Sequence, residues 1–259
     1  MIKLENIDKI YNKGTVNELQ LFNNFNFHVE KGQFVSVIGS NGSGKTTMLN
    51  IICGSIPFDN GDIVVNNRSI KKLKEFQRYT KIGRVYQNPS MGTCANMTIL
   101  ENMSLADNKG KSYGLGPGTN SKRIDFYREQ LSQLNLGLED KLGVKVGLLS
   151  GGQRQAMSLL MSVMTPIDIL ILDEHTAALD PKTAEIIMEI TNKVVREKKL
   201  TTLMVTHNLL HAVNYGDRIV LMHEGNCVMD KAGKDKENTQ IDEILNMFNT
   251  ISLERGNKV

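Results

Sequence analysis

Along this chain the spacing of hydrophobic positions switches between strand-like and helix-like periods, and each switch marks a new element. Near the start Ile2, Leu4 and Ile7, and later Phe25, Phe27 and Val29, alternate with polar residues, which predicts strands with one buried face. Residues 14–18 read as a hairpin tip between them, and Glu30-Lys31-Gly32 as a turn. Phe34-Val35-Ser36-Val37-Ile38 is a strand ahead of Met48-Leu49-Asn50-Ile51-Ile52, which has helical spacing. Strands follow at 62–65 and 82–86, separated by a basic segment over 70–78. Further on, 167–172 and 201–205 are continuous apolar runs of the kind that form parallel strands covered on both faces, and 218–222 is another strand.

The middle of the chain has a different texture. Thr98 and Glu101 make a capping box, starting a helix to about 106. Residues 107–120 collect Gly114, Gly116, Pro117 and Gly118 and read as a loop. Ile124, Tyr127, Leu131 and Leu134 share one face of a helix over 121–134, and Ser150 caps a helix to about 164. This portion shows no strand pattern and reads as a helical subdomain inserted into an α/β sheet. Asp180-Pro181 is an N-cap followed by a first-turn proline, opening a helix to about 197. The tail over 241–253 reads as an amphipathic helix through Ile244, Leu245, Phe248 and Ile251.

Chemistry concentrates first in Gly39-Ser40-Asn41-Gly42-Ser43-Gly44-Lys45-Thr46-Thr47, between a strand and a helix. Glycines let successive backbone N–H groups turn inward as an anion cradle, and the helix behind adds unpaired amides and its positive dipole end. Lys45 supplies a charge for β- and γ-phosphates, and the Thr46 hydroxyl stands where Mg²⁺ is bound. The stretch therefore points to a nucleoside triphosphate.

Composition trims the alternatives. At 259 residues, 40% hydrophobic and 23% charged, the chain is long enough for a sizeable core. A net charge of +3 gives no argument for nucleic acid or an anionic membrane. No apolar run approaches the roughly 20 residues of a membrane span, and no signal-peptide core follows Met1, so a cytoplasmic protein is expected. Cys53, Cys94 and Cys227 lack C-x-x-C spacing and read as small hydrophobes or surface thiols.

A second constellation, Leu149-Ser150-Gly151-Gly152-Gln153, places two glycines after an N-capping serine, again suited to a phosphate. This pentapeptide resembles the signature motif of ATP-binding cassette (ABC) ATPases. Other family motifs stand in order over essentially the whole chain. Ile169-Leu170-Ile171-Leu172-Asp173-Glu174 resembles the Walker B strand, Ala178-Leu179-Asp180 the D-loop, Gln87 the Q-loop glutamine, and His207 the switch histidine. Tyr11 resembles the aromatic residue that stacks on adenine.

The resemblance implies an α/β fold of the P-loop NTPase type. Its RecA-like core and antiparallel β subdomain would fall at 1–88 and 165–259, and its helical signature subdomain at 89–164. It implies ATP with Mg²⁺, the metal held by Thr46, Asp173 and Gln87, Glu174 polarising the attacking water, and His207 contacting the γ-phosphate and Glu174. It also implies two copies facing head to tail, with ATP between the 39–47 loop of one and Ser150, Gly151, Gly152 and Gln153 of the other, and Asp180 meeting the opposite subunit.

Two departures stand out: His175 replaces the proline usual after the glutamate, and 154–160 lacks the usual arginine-alanine pattern. With the 109–122 loop they resemble a bacterial importer subgroup that pairs its ATPase with a separate permease and a solute-binding lipoprotein, some associated with aromatic amino acids. The expectation is thus an ATPase at the cytoplasmic face of the cell membrane, docked on permease subunits through 88–149. The rival readings are a lipoprotein-extraction or efflux ATPase and a soluble non-transport ABC ATPase.

Overall fold

The computed structural model describes residues 1–112, 114–115 and 117–256, with side chains to residue 250. Gly116 and the side chain of Ile251, both used above, lie outside that range. The chain begins with β1 (Ile2–Tyr11), β2 (Leu19–Val29), β3 (Phe34–Gly39), α1 (Lys45–Cys53), β4 (Asn60–Val65), β5 (Arg68–Ser69), α2 (Glu75–Tyr79) and β6 (Ile82–Val85). It continues through α3 (Ile99–Asp107), α4 (Ile124–Ser132) and α5 (Gly151–Ser162). It ends with β7 (Ile169–Asp173), α6 (Pro181–Glu197), β8 (Thr201–Val205), α7 (Leu209–Asn214), β9 (Arg218–His223), β10 (Asn226–Ala232), α8 (Gly233–Glu237) and α9 (Ile241–Gly256).

Two sheets result. A four-stranded antiparallel sheet has the order β2-β1-β4-β5, and a six-stranded sheet the order β10-β9-β3-β8-β7-β6. The second is parallel except where β10 returns antiparallel beside β9. Strands β3, β7, β8 and β9 are buried on both faces, as their apolar runs require. Ile169 and Ile171 of β7 pack with Val35, Val37 and α1 on one face; Leu170 and Leu172 pack with Met188 and Val195 of α6 on the other. A separate cluster joins Ile99, Met103, Tyr127, Leu131 and Met157 of α3, α4 and α5.

Several boundaries differ from expectation. Residues 121–123 form a 3₁₀ turn before α4, because Asn120 caps that turn by accepting from Lys122 N–H. The basic 70–78 segment contains the start of α2, where Lys74 N–H donates to Gln77 Oε1. Helix α5 stops at Ser162, two residues early, and β7 starts two residues late. Strand β10 and helices α7 and α8 were not expected. Strand β10 alternates weakly because most of one face is exposed.

Tyr127 shows how the middle helices are fixed. Its ring is fully buried and its hydroxyl donates to Asp107 Oδ2 at 3.0 Å. Arg123 Nε lies 2.5 Å from the same oxygen and Lys111 Nζ 3.2 Å from Oδ1. The carboxylate at the end of α3 thereby ties both flanks of the glycine-rich loop.

Candidate functional site

Parallel pairing brings three strand ends together. Val205 of β8 lies opposite both Asp173 of β7 and Val37 of β3. Gly39, Glu174 and His207 each follow within two residues of that line, so all three emerge at one edge of the sheet. Ligands in open α/β folds collect at the carboxyl ends of such strands.

The loop after β3 is shaped by its glycines. Gly44 is the N-cap of α1 at φ +103°, with no side chain capping the helix amides. A Cβ there would sit 2.8 Å from Phe22 Cε1, so an aromatic ring of β2 supports the loop from beneath. Ahead of it, a Cβ at Gly39 would collide with the carbonyl oxygen of Met222. Lys45 is buried, and its Nζ donates to Gly39 O at 2.8 Å and Ser40 O at 2.9 Å. Burial lowers the Lys45 pKa from the usual lysine value, and the Glu174 carboxylate opposes that shift.

Around this loop lies a cavity of about 300 Å³, lined by Asn41, Gly42, Ser43, Gly44, Lys45, Thr46 and Thr47 together with Tyr11, Glu174 and His207. Tyr11 and Thr47 share a hydroxyl–hydroxyl hydrogen bond of 3.1 Å, and Lys9 Nζ stands 4.8 Å from the Tyr11 ring centroid. Glu174 Oε1 and His207 Nε2 are 2.8 Å apart. Glu174 has φ +49°, uncommon for a residue with a Cβ, and its N–H donates to Val205 O at 2.9 Å.

The remaining expected residues stand elsewhere. Asp173 is not among the cavity's lining residues, and its Oδ2 is 2.6 Å from Arg84 Nη2. Gln87 is exposed just past β6 and is not among the cavity's lining residues. Ser150, Gly151, Gly152 and Gln153 are also apart from it. Ser150 caps α5 by accepting from Gln153 N–H at 3.2 Å, while the Gln153 side chain returns to Ser150 N–H. That capping box leaves Gly151 and Gly152 as the amides without a capping side chain, and Ser150 and Gly151 are exposed. Asp180 caps α6 through Thr183 N–H at 3.0 Å, and those Thr183 bonds lower its pKa.

Arg84, Phe22, Leu19 and Leu21 belong to the site's surroundings but escaped the sequence reading. Only the pairing of β6 with β7, which sets Arg84 opposite Ile171, reveals the first.

A larger groove of about 570 Å³ runs between the sheet edge and α3, with Tyr79, Arg84, Tyr86, Cys94 and Lys109 in its wall. Phe76, Met91 and Leu105 expose apolar side chains on it, and no carboxylate is among its described lining residues. Lys109 donates to Ile82 O at 2.9 Å, and burial pushes its ammonium down to about 8.

Comparison with known proteins places this geometry in context. A family described as ABC transporter matches residues 22–177. The tyrosine transport ATP-binding protein of Clostridioides difficile (strain R20291) is 46% identical over 248 residues, 96% of this chain and 98% of that protein. The phosphonates import ATP-binding protein of Lactococcus lactis subsp. lactis (strain IL1403) is 31% identical, covering 94% and 98%. A dimeric ATP-binding cassette solved in a post-hydrolysis state with ADP and Pi is 31% identical, with TM-score 0.74 over 90% of this chain and 98% of that one.

Proposed function

The chain belongs to the ABC transporter family as its ATP-binding, ATP-hydrolysing subunit, and from that premise we propose how its residues divide the work. The triphosphate lies in the 39–47 cradle with Lys45 on the β- and γ-phosphates, and the adenine stacks on Tyr11. Glu174 orients the attacking water, and His207, hydrogen-bonded to Glu174, holds the γ-phosphate.

Thr46 in the cavity lining, with Asp173 and Gln87 outside it, would hold the ion; their hydroxyl, carboxylate and amide oxygens are hard donors of the kind that suits Mg²⁺. When bound, Mg²⁺ neutralises phosphate charge during transfer.

The observation that carries the mechanism is the separation of the two anion-facing helix ends. The start of α1 lines the cavity with Glu174 and His207, whereas the exposed start of α5 at Ser150 does not. One chain therefore holds half a site. A second copy, head to tail, brings Ser150, Gly151, Gly152 and Gln153 onto the nucleotide, with Asp180 at the contact. The solved dimeric cassette supports this arrangement.

Residues 89–164 act as the helical subdomain, and 1–88 with 165–259 as core and β subdomain. No helix among the described residues is long and apolar enough to cross a membrane. The relatives named as transport ATP-binding proteins support a reading in which work on a solute passes through separate permease subunits. The apolar groove with Phe76, Met91 and Leu105 receives a permease segment at the cytoplasmic face. The relative named for phosphonates import supports import, and the one named for tyrosine transport supports a small solute. The higher identity of the first favours an amino acid such as tyrosine, delivered by an extracellular binding protein.

Co-expression with candidate permeases tests the reading. The ATPase is expected in the membrane fraction, with turnover raised when the binding protein and tyrosine are added. An ATPase that stays in the soluble fraction with every candidate permease would contradict it.

A further inference from the structure

Glu174 combines a left-handed backbone with a carboxylate 2.8 Å from His207, and the next residue is well suited to hold it there. His175 is only 2% exposed. Its Nε2 lies 3.2 Å from Thr191 Oγ1 in the middle of α6. The Thr191 hydroxyl donates to Ile187 O at 2.7 Å, so its lone pairs are what it offers the imidazole. The ring must therefore be the tautomer with its proton on Nε2. Burial, with His211 close by, pushes the imidazole down to about 3, and it remains neutral.

We infer that His175 and Thr191 are positioning residues for ATP hydrolysis: the buried imidazole-to-hydroxyl bond anchors the residue after Glu174 to α6 and keeps the Glu174 carboxylate on His207. The inference rests on Glu174 being the catalytic carboxylate. A positive φ at a residue with a Cβ persists only where its surroundings over-determine it. Here three restraints act: Glu174 N–H on Val205 O, Ala177 N–H on Glu174 O at 2.9 Å, and the His175 ring. Only the last reaches α6, the helix whose capped start carries Asp180. The His175 that replaces the family's usual proline can make this bond; a proline has no side-chain donor.

The test compares His175→Leu and Thr191→Val, which remove donor and acceptor at similar volume, with His175→Gln and Thr191→Ser, which keep them. In the full chain, each of the first pair is expected to lower kcat by roughly tenfold to a hundredfold, leaving KM for ATP and fluorescent-ATP affinity near wild type. The second pair should recover most of the loss. The double variant His175→Leu/Thr191→Val should fall no further than either single one. Wild-type kcat in a folded His175→Leu, an additive double variant, or a loss confined to KM would overturn the inference. Thermal melts identify variants that fail to fold, in which case Thr191→Val, the smaller change, decides. Glu174→Gln runs alongside: if it retains turnover, the assignment of Glu174 fails, a result distinct from a failure of the anchor.

Discussion

Arg84 and Asp173 form an ion pair of 2.6 Å between adjacent strand ends, and the arginine is the residue on which two regions of the molecule meet. Its other terminal nitrogen donates to Asn50 Oδ1 of α1 at 2.9 Å, and its guanidinium lies 4.6 Å from the Tyr86 ring centroid. The same side chain lines the apolar groove. The wall of the groove and the geometry of Asp173 thus share one side chain.

Arg84→Met should destabilise the protein. Both side chains are largely buried, at 6% and 14% exposure, so deletion of the cation strands a carboxylate in a poorly solvated place. Breaking such a pair costs about 3 kcal/mol, visible as a lower denaturant midpoint. Arg84→Met/Asp173→Asn should recover part of that loss.

Glu174→Gln should bind ATP with near-wild-type affinity while phosphate release falls at least about 100-fold. The amide can still hydrogen-bond His207, but cannot polarise water as a carboxylate does. Size-exclusion with ATP should show a trapped dimer, absent without nucleotide.

Gly44→Ala places a Cβ against Phe22 at a backbone φ of +103°. The loop must leave the shape that presents its amides. A strain of this kind should weaken ATP binding about tenfold, measured by fluorescent-nucleotide titration.

Lys109 gives a pH signature. Its folded-state value of about 8 lies below the ordinary 10.5, so the unfolded chain binds more protons between those values and stability contributed by this site rises with pH. Below about pH 8 the ammonium is charged in both states and the burial cost is fully present. Lys109→Met should therefore raise the melting temperature at pH 7, with the advantage shrinking between about pH 8 and pH 10.5.

Phe76→Asp should leave ATP binding intact and abolish membrane recruitment. The ring is 69% exposed at the groove, an aromatic anchor of the sort that dominates interfaces. Its loss should weaken permease binding by about 2 kcal/mol or more.

The strands at 201–205 and 218–222 and the helix from Pro181 were legible because apolar runs and caps are local signals. Strand β10 was not, since a half-exposed edge strand lacks an apolar run. Arg84 escaped for another reason: a charged residue within a strand has no meaning until its neighbour is known.

The sequence alone singled out the candidate residues. The glycines, Lys45 and Thr46 of the phosphate loop, and Asp173 and Glu174 after an apolar run, stand in local patterns that a strand, a tight turn and a helix start impose. Tertiary structure decided which of these lie together. Parallel pairing of β7, β8 and β3 gathered Glu174, His207 and Lys45 into one cavity, and the packing of α5 left Ser150 outside it. Strand order and helix packing are set by long-range burial, which no local pattern encodes.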